Sequence, residues 1–222
     1  FPGEPREVAA LFKVPDVLDA AIAAHRIPPV VLVIPDINGE PRFGHDQECV
    51  DAQHGAADDT YLTTDLVGWT TRHLRVRPDR GAWALAGWSS GGYCAMNLAL
   101  RHPRTYALAV SQSGYDRTPD DVVTGELFAG RPDLAAANDV VALLDHRLPP
   151  LALDVLLQLH PERAVVPRGA GAAVDLAAGV DEASALGQGD DVVDGGRGRL
   201  GHGWLALWVR DDAGWLPTER SA

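Results

Sequence analysis

The chain has 222 residues, 46% hydrophobic and 23% charged, which suits a single globular domain with a sizeable core. A formal net charge of -12 argues against nucleic-acid partners and against electrostatic docking on anionic lipid. No run reaches the roughly 20 apolar residues of a membrane span, and two cysteines are too few for a disulfide scaffold or a zinc signature.

In chain order, "VPDVLDAAIAAHRI" places Val14, Val17, Leu18, Ala21 and Ile22 at helical intervals, with Asp16 behind Pro15 near the start. "PPVVLVIPD" (28–36) is short, apolar and β-branched, and reads as a buried parallel strand. Residues 37–60 form a long polar loop, a length usually reserved for function or disorder. It gathers His45, Asp46, Glu48, Asp51, His54, Asp58 and Asp59 without calcium-ligand spacing. It therefore reads as a solvated border of an active-site mouth. A helix over 60–74 would bury Leu62, Leu66, Trp69 and Leu74. "RPDRGA" (77–82) is a turn before the strand 82–87 and the helix 91–102. A strand at 106–114 and a helix at 134–147 follow, while 149–163 could be a strand ending near Gln158 or a helix opened by prolines. The alternation over 14–114 implies βα units and a parallel sheet. Segment 168–200 is rich in Gly, Ala and Asp and poor in large apolar residues, and is poorly defined. Cys49 and Cys94 read as separate buried thiols, with one disulfide in an exported protein as the alternative.

The strand 82–87 runs into "GWSSGG", which fits Gly-x-Ser-x-Gly with Gly87, Ser89 and Gly91. A serine forced through so sharp a strand-to-helix turn adopts strained dihedrals and needs small residues on either side. It then sits at a helix N-terminus, where the dipole and free amides favour developing negative charge. Ser89 is the candidate nucleophile and the Ser90 amide a candidate oxyanion donor; Gly91, Gly92, Cys94 and Ala95 would let the helix lie close to the sheet.

At these residues the chain resembles the esterase D-like group of α/β-hydrolases, the group of S-formylglutathione hydrolases, feruloyl esterases and mycolyl-transferases. "VVLVIPDINGE", "DTYLTTDLVGWTTRHLRVRPDR" and "AGWSSGGYCAMNLALRHPRTYALAVSQSGYDRTP" carry the resemblance, which is good over about 1–150. It implies an α/β-hydrolase three-layer sandwich with a mostly parallel sheet, N-terminally truncated, forming one domain over 1–222. It also implies a catalytic histidine at His202 in "GHGWLALW" and a triad acid at Glu162, with Asp154 as runner-up. His45, His54, His73, His102 and His160 are assigned no role. In the family a strand before the stretch matching "FPGEPR" lies centrally beside the serine strand, and its loop gives a second oxyanion amide that would fall at about Phe1. Its loss would leave ladder groups beside the serine strand unpaired.

The expected activity is that of a serine esterase acting on a small-molecule ester or acylated substrate, with no cofactor and no metal. The alternatives are an acyltransferase of the mycolyl-transferase type and a truncated, non-catalytic binding domain. The chain is expected to be part of a longer polypeptide and to act outside the cytoplasm.

Overall fold

The computed structural model describes residues 5–11, 13–37, 46–120, 124–147, 154–158 and 204–210. Five strands form one sheet: β1 (Val30–Val33), β2 (Trp83–Trp88), β3 (Leu108–Gln112), β4 (Asp154–Gln158) and β5 (Trp204–Arg210), in the order β1-β5-β2-β3-β4. β2, β3 and β4 are mutually parallel. β5 is antiparallel to both β1 and β2, so β1 points the same way as the other three. Short apolar runs joined by helices give this arrangement because strands covered on both faces have no need of polar alternation.

α1 (Pro5–Leu11) and α2 (Val14–Ala23) precede β1. A continuous helix joins β1 to β2 and is made of α3 (Asp58–Thr60), a wide turn (Tyr61–Asp65) and α4 (Leu66–His73). α5 (Ser90–Arg101) lies on β2, β3 and β5. Residues Ser90 to Leu100 of α5 are all buried, since α7 (Val140–Arg147) closes over its outer side. The core gathers Leu62, Leu85, Tyr93, Leu98, Tyr106 and Ala109 between these layers.

Several expectations change. The ladder beside the serine strand is not left open: Trp204–Arg210 pairs with β1 on one side and β2 on the other. The ambiguous segment 149–163 contributes β4, because its β-branched and leucine residues complete the parallel edge against β3. The helix expected over 134–147 splits into α6 (Pro132–Ala137) and α7. Asn138 Nδ2 donates back to the Leu134 carbonyl at 2.9 Å, and Asp139 Oδ1 accepts the Ala142 amide at 3.0 Å, so Asn-Asp ends one helix and starts the next. Trp69 is 48% exposed and Thr70 is buried in its place, so the inward row is Leu62, Leu66 and Thr70. Val17, one of the apolar residues at helical intervals in α2, is also exposed, and Leu18 is the buried one.

The described part of the acidic loop is only partly solvated: Asp51 and His54 are exposed, while residues 46–50, Asp58 and Asp59 are not. Asp46, Gln47, Glu48, Cys49 and Val50 are buried. The two cysteines are not separate thiols: Cys49 is bonded to Cys94 of α5, across 45 residues of sequence. That bond draws the loop onto the helix and carries Glu48 inward, where Tyr115 Oη donates to Glu48 Oε2.

Candidate active site

A single residue, Ser89, separates the end of β2 from the start of α5. Its φ of 56° and ψ of -121° lie in a region that L-residues avoid. The contortion is fixed from both sides. The Ser89 amide donates to the Gln112 carbonyl at the end of β3 (2.9 Å), and the Ser89 carbonyl accepts from the amides of Gly92 (2.9 Å) and Tyr93 (3.1 Å). The side chain is half-buried and its hydroxyl makes no capping bond to the helix. The hydroxyl is thus held at the tip of the bend without capping the helix.

Glycine is required where α5 meets the exit from β3. A Cβ on Gly114 would lie 2.6 Å from the Gly92 carbonyl carbon and 2.7 Å from the Tyr93 amide nitrogen. Both contacts are backbone and cannot swing away. Gly114→Ala should therefore push the first turn of α5 off β3, lowering stability by about 1–3 kcal/mol and lowering ester turnover through the displaced Ser89. Thermal unfolding and kcat/KM measured side by side check this.

One row of backbone pairs crosses the sheet immediately before the bend: Trp204, Trp88, Gln112 and Gln158. Among the other expected site residues, Ser90 opens α5 and is buried. Asp154 starts β4 in register with Leu108, at the end of the sheet away from Ser89, about 13 Å along the strand from Gln158. Phe1, Glu162 and His202 lie outside the described residues, as does segment 168–200.

Residues that the sequence did not single out brace the helix. Tyr93 Oη donates to the Asn138 carbonyl (2.8 Å), and its ring stacks on Tyr115 with centroids 5.2 Å apart. Asn97 Nδ2 and Arg101 Nη1 both donate to Asn138 Oδ1, at 2.9 and 2.8 Å. Burial pushes the Tyr115 hydroxyl well up, and the Glu48 charge adds to it, so the Tyr115 proton stays on oxygen and donates. At the far end of α5, Asp59 receives Arg101 Nη1 and lies 2.7 Å from His102 Nε2. Burial pushes the Asp59 carboxyl up, but the His102 bond and the Arg101 charge outweigh it and hold it below the usual carboxylate range.

Its neighbour Asp58 has the opposite fate. It is 6% exposed, and among the described residues Oδ2 has no hydrogen-bond partner. Burial first, then the charges of Asp36, Asp51 and Asp46, push it up to about 7. The folded state therefore holds this proton more tightly than the unfolded chain, whose carboxyl titrates near 3.8. Its stabilising contribution is complete below pH 3.8 and is lost as pH rises through about 7. Asp58→Asn should raise the melting temperature at pH 8 more than at pH 5. Equal shifts at both values would show that the carboxyl is not protonated in the fold.

Among the described residues no group of three or more His, Cys, Asp or Glu could hold a metal ion, and no helix is long and apolar enough to cross a membrane.

A strained serine between a parallel strand and a buried helix, in a mostly parallel sheet, defines an α/β-hydrolase fold. The chain belongs to the esterase family whose model, described as "Putative esterase", matches residues 7–209. It is 28% identical over 152 residues to an uncharacterized protein of Corynebacterium glutamicum, covering 66% of this chain and 34% of that protein. It is 35% identical over 72 residues to the MPT51/MPB51 antigen of Mycobacterium tuberculosis, covering 32% of this chain and 23% of the antigen. The chain thus spans about a third or less of the length of these relatives. A solved ferulic acid esterase shares the fold with a TM-score of 0.50 at 22% identity, over 64% of this chain and 54% of that one.

Proposed function

We propose that the chain is a serine esterase that cleaves a small-molecule ester or acylated substrate through an acyl-enzyme on Ser89. The observation that carries this reading is the backbone of Ser89 itself. A fold accepts a strain of about 1–3 kcal/mol at one residue when that residue's position is needed. Here a half-buried hydroxyl stands at the start of a helix, uncommitted to capping.

In this reading Ser89 Oγ bonds to the ester carbonyl carbon while its proton passes to His202. The same proton then leaves with the alcohol as the C–O bond breaks. Water, deprotonated by His202, then bonds to the acyl carbon, the Ser89 Oγ–acyl bond breaks, and His202 returns the proton to Oγ as the acid leaves. Support for His202 comes from register: it precedes Trp204 by two residues, a reach of at most about 7 Å, and Trp204 pairs with Trp88 beside Ser89. Glu162 is favoured over Asp154 as the residue that orients the imidazole. It follows by four residues Gln158, which lies in the same row as Trp88, whereas Asp154 begins β4 at the opposite end. The Ser90 amide, at the positive end of a 12-residue helix, is the assigned oxyanion donor. A second donor at Phe1 rests on the family resemblance alone.

Transfer of the acyl group to an alcohol instead of water would use the same intermediate. The resemblance of the motifs to those of the mycolyl-transferases is what favours that alternative. The Cys49–Cys94 bond suits an oxidising compartment and so an exported protein.

The test is labelling of the chain by a fluorophosphonate probe, with the modified peptide located by mass spectrometry. The reading expects the label on Ser89, together with hydrolysis of p-nitrophenyl acetate. A chain that hydrolyses neither this ester nor longer acyl esters, and takes up no probe, is not a serine esterase but a hydrolase-fold binding domain.

A further inference from the structure

The helix that joins β1 to β2 presents two rows of residues four apart. Leu62, Leu66 and Thr70 face the core; Tyr61, Asp65, Trp69 and His73 are exposed. In an uninterrupted α-helix, Tyr61 and Trp69 would stand about 80° apart around the axis. The wide turn at Tyr61–Asp65 takes up extra residue length and rotates Tyr61 back toward Trp69. Both rings consequently line one cleft of about 630 Å³ with Thr64, Asp65, Leu66 and Arg72. Wide turns of this kind are rare and often mark functional sites.

The cleft is preorganised. The Trp69 ring stacks on His73, with centroids 4.9 Å apart and planes at 18°, and His73 Nδ1 lies 2.8 Å from the Trp69 carbonyl. The Arg72 guanidinium folds over Gly68, where a Cβ would come within 3.0 Å of Nη1. Trp69 is 48% exposed and Tyr61 37%.

We propose that this cleft binds a neutral oligosaccharide, its rings stacked on Trp69 and Tyr61 and its hydroxyls bonded to Asp65, Arg72 and Thr64. A sugar ring has an apolar C–H face for an aromatic platform and a rim of hydroxyls that both donate and accept. The lining supplies each counterpart: two rings, a carboxylate acceptor, a guanidinium donor and a hydroxyl. An acyl chain would leave Asp65 and Arg72 desolvated without partners. A polyanion would meet Asp65 and a chain of net charge -12. The cleft lies on the outer face of the helix, and the proposal stands independently of the chemistry at Ser89.

The experiment is calorimetric titration of the full chain with xylohexaose, cellohexaose and maltohexaose. Saturable binding of at least one is expected, weakened about tenfold or more by Trp69→Ala and less by Trp69→Phe, which keeps a ring. Asp65→Asn should weaken it several-fold. Fluorophosphonate labelling should be the same in all variants, which separates this site from the serine. The variants are compared only where circular dichroism matches wild type; Trp69→Phe and Tyr61→Ala decide the matter if Trp69→Ala does not fold. No binding of any of the three hexasaccharides overturns the proposal, as does binding unchanged by the Trp69 and Tyr61 variants. Self-association in sedimentation that Trp69→Ala abolishes would also overturn it, by assigning this face to a second copy of the chain.

Discussion

Replacing Ser89 with glycine is expected to abolish ester turnover while leaving the chain at least as stable as wild type. The two effects have separate causes. Turnover falls because the residue at the tip of the bend no longer carries a hydroxyl, the neighbouring Ser90 being buried in the first turn of α5; loss of a nucleophile from a triad lowers kcat on the order of 10⁶-fold. Stability is kept or gained because glycine adopts φ 56° without the Cβ clash that serine suffers. Against a relieved strain of about 1–3 kcal/mol stands the extra unfolded-state entropy of glycine, about 0.5–1 kcal/mol. The net expectation is a melting temperature raised by a few degrees. Ser89→Ala should be equally inactive but should melt with wild type, since it keeps Cβ. A Ser89→Gly chain that still turns over ester places the nucleophile elsewhere. One that melts well below wild type shows that the bend is not under strain.

The second large effect is expected from Cys49 and Cys94. Cross-linking residues 45 apart removes unfolded-chain entropy worth about 4 kcal/mol, a large share of the roughly 5–15 kcal/mol that holds a domain together. The bond does more than staple. Cys49 follows Glu48, whose carboxylate accepts from Tyr115, and Cys94 is the fifth residue of the helix that follows Ser89. Once released, the loop at 46–57 would let water reach Glu48 and would loosen the Tyr93–Tyr115 stack over α5. The Cys49→Ser, Cys94→Ser double variant should have a lower denaturant midpoint and faster proteolysis within 46–57. Reductant should bring wild type down to the same midpoint. A midpoint unmoved by reductant would mean that the two sulfurs do not pair.

The bend at Ser89 was readable from six letters because its causes are local. An apolar run, a serine, and glycines at fixed distances announce the turn within six residues, although Gln112 and Gly114 at the exit from β3 then hold it in place. β1, β2 and β3 were readable on the same ground, and so was the helix after the bend, which begins at Ser90, one residue earlier than expected. Trp69 was misread because periodicity assumes an even helical pitch, and the wide turn at 61–65 breaks it. Asp58 and Asp59 are adjacent and chemically alike, yet one is ionised against Arg101 and the other keeps its proton near neutrality. Nothing in the letters "DD" separates them, because the difference is made by burial and by residues up to 43 positions away.

By itself, then, the sequence determined the elements whose causes lie within one helical turn: β1, β2 and β3, the bend and its serine, and the family to which they belong. Tertiary structure decided which cysteines met, which carboxylate lost its solvent, and how the sheet closed. Trp204–Arg210 lies between β1 and β2, antiparallel to both, although it is the last described strand in the chain. A strand's partners are chosen by whichever edges present unpaired amides and carbonyls, and those edges exist only after the other strands have come together.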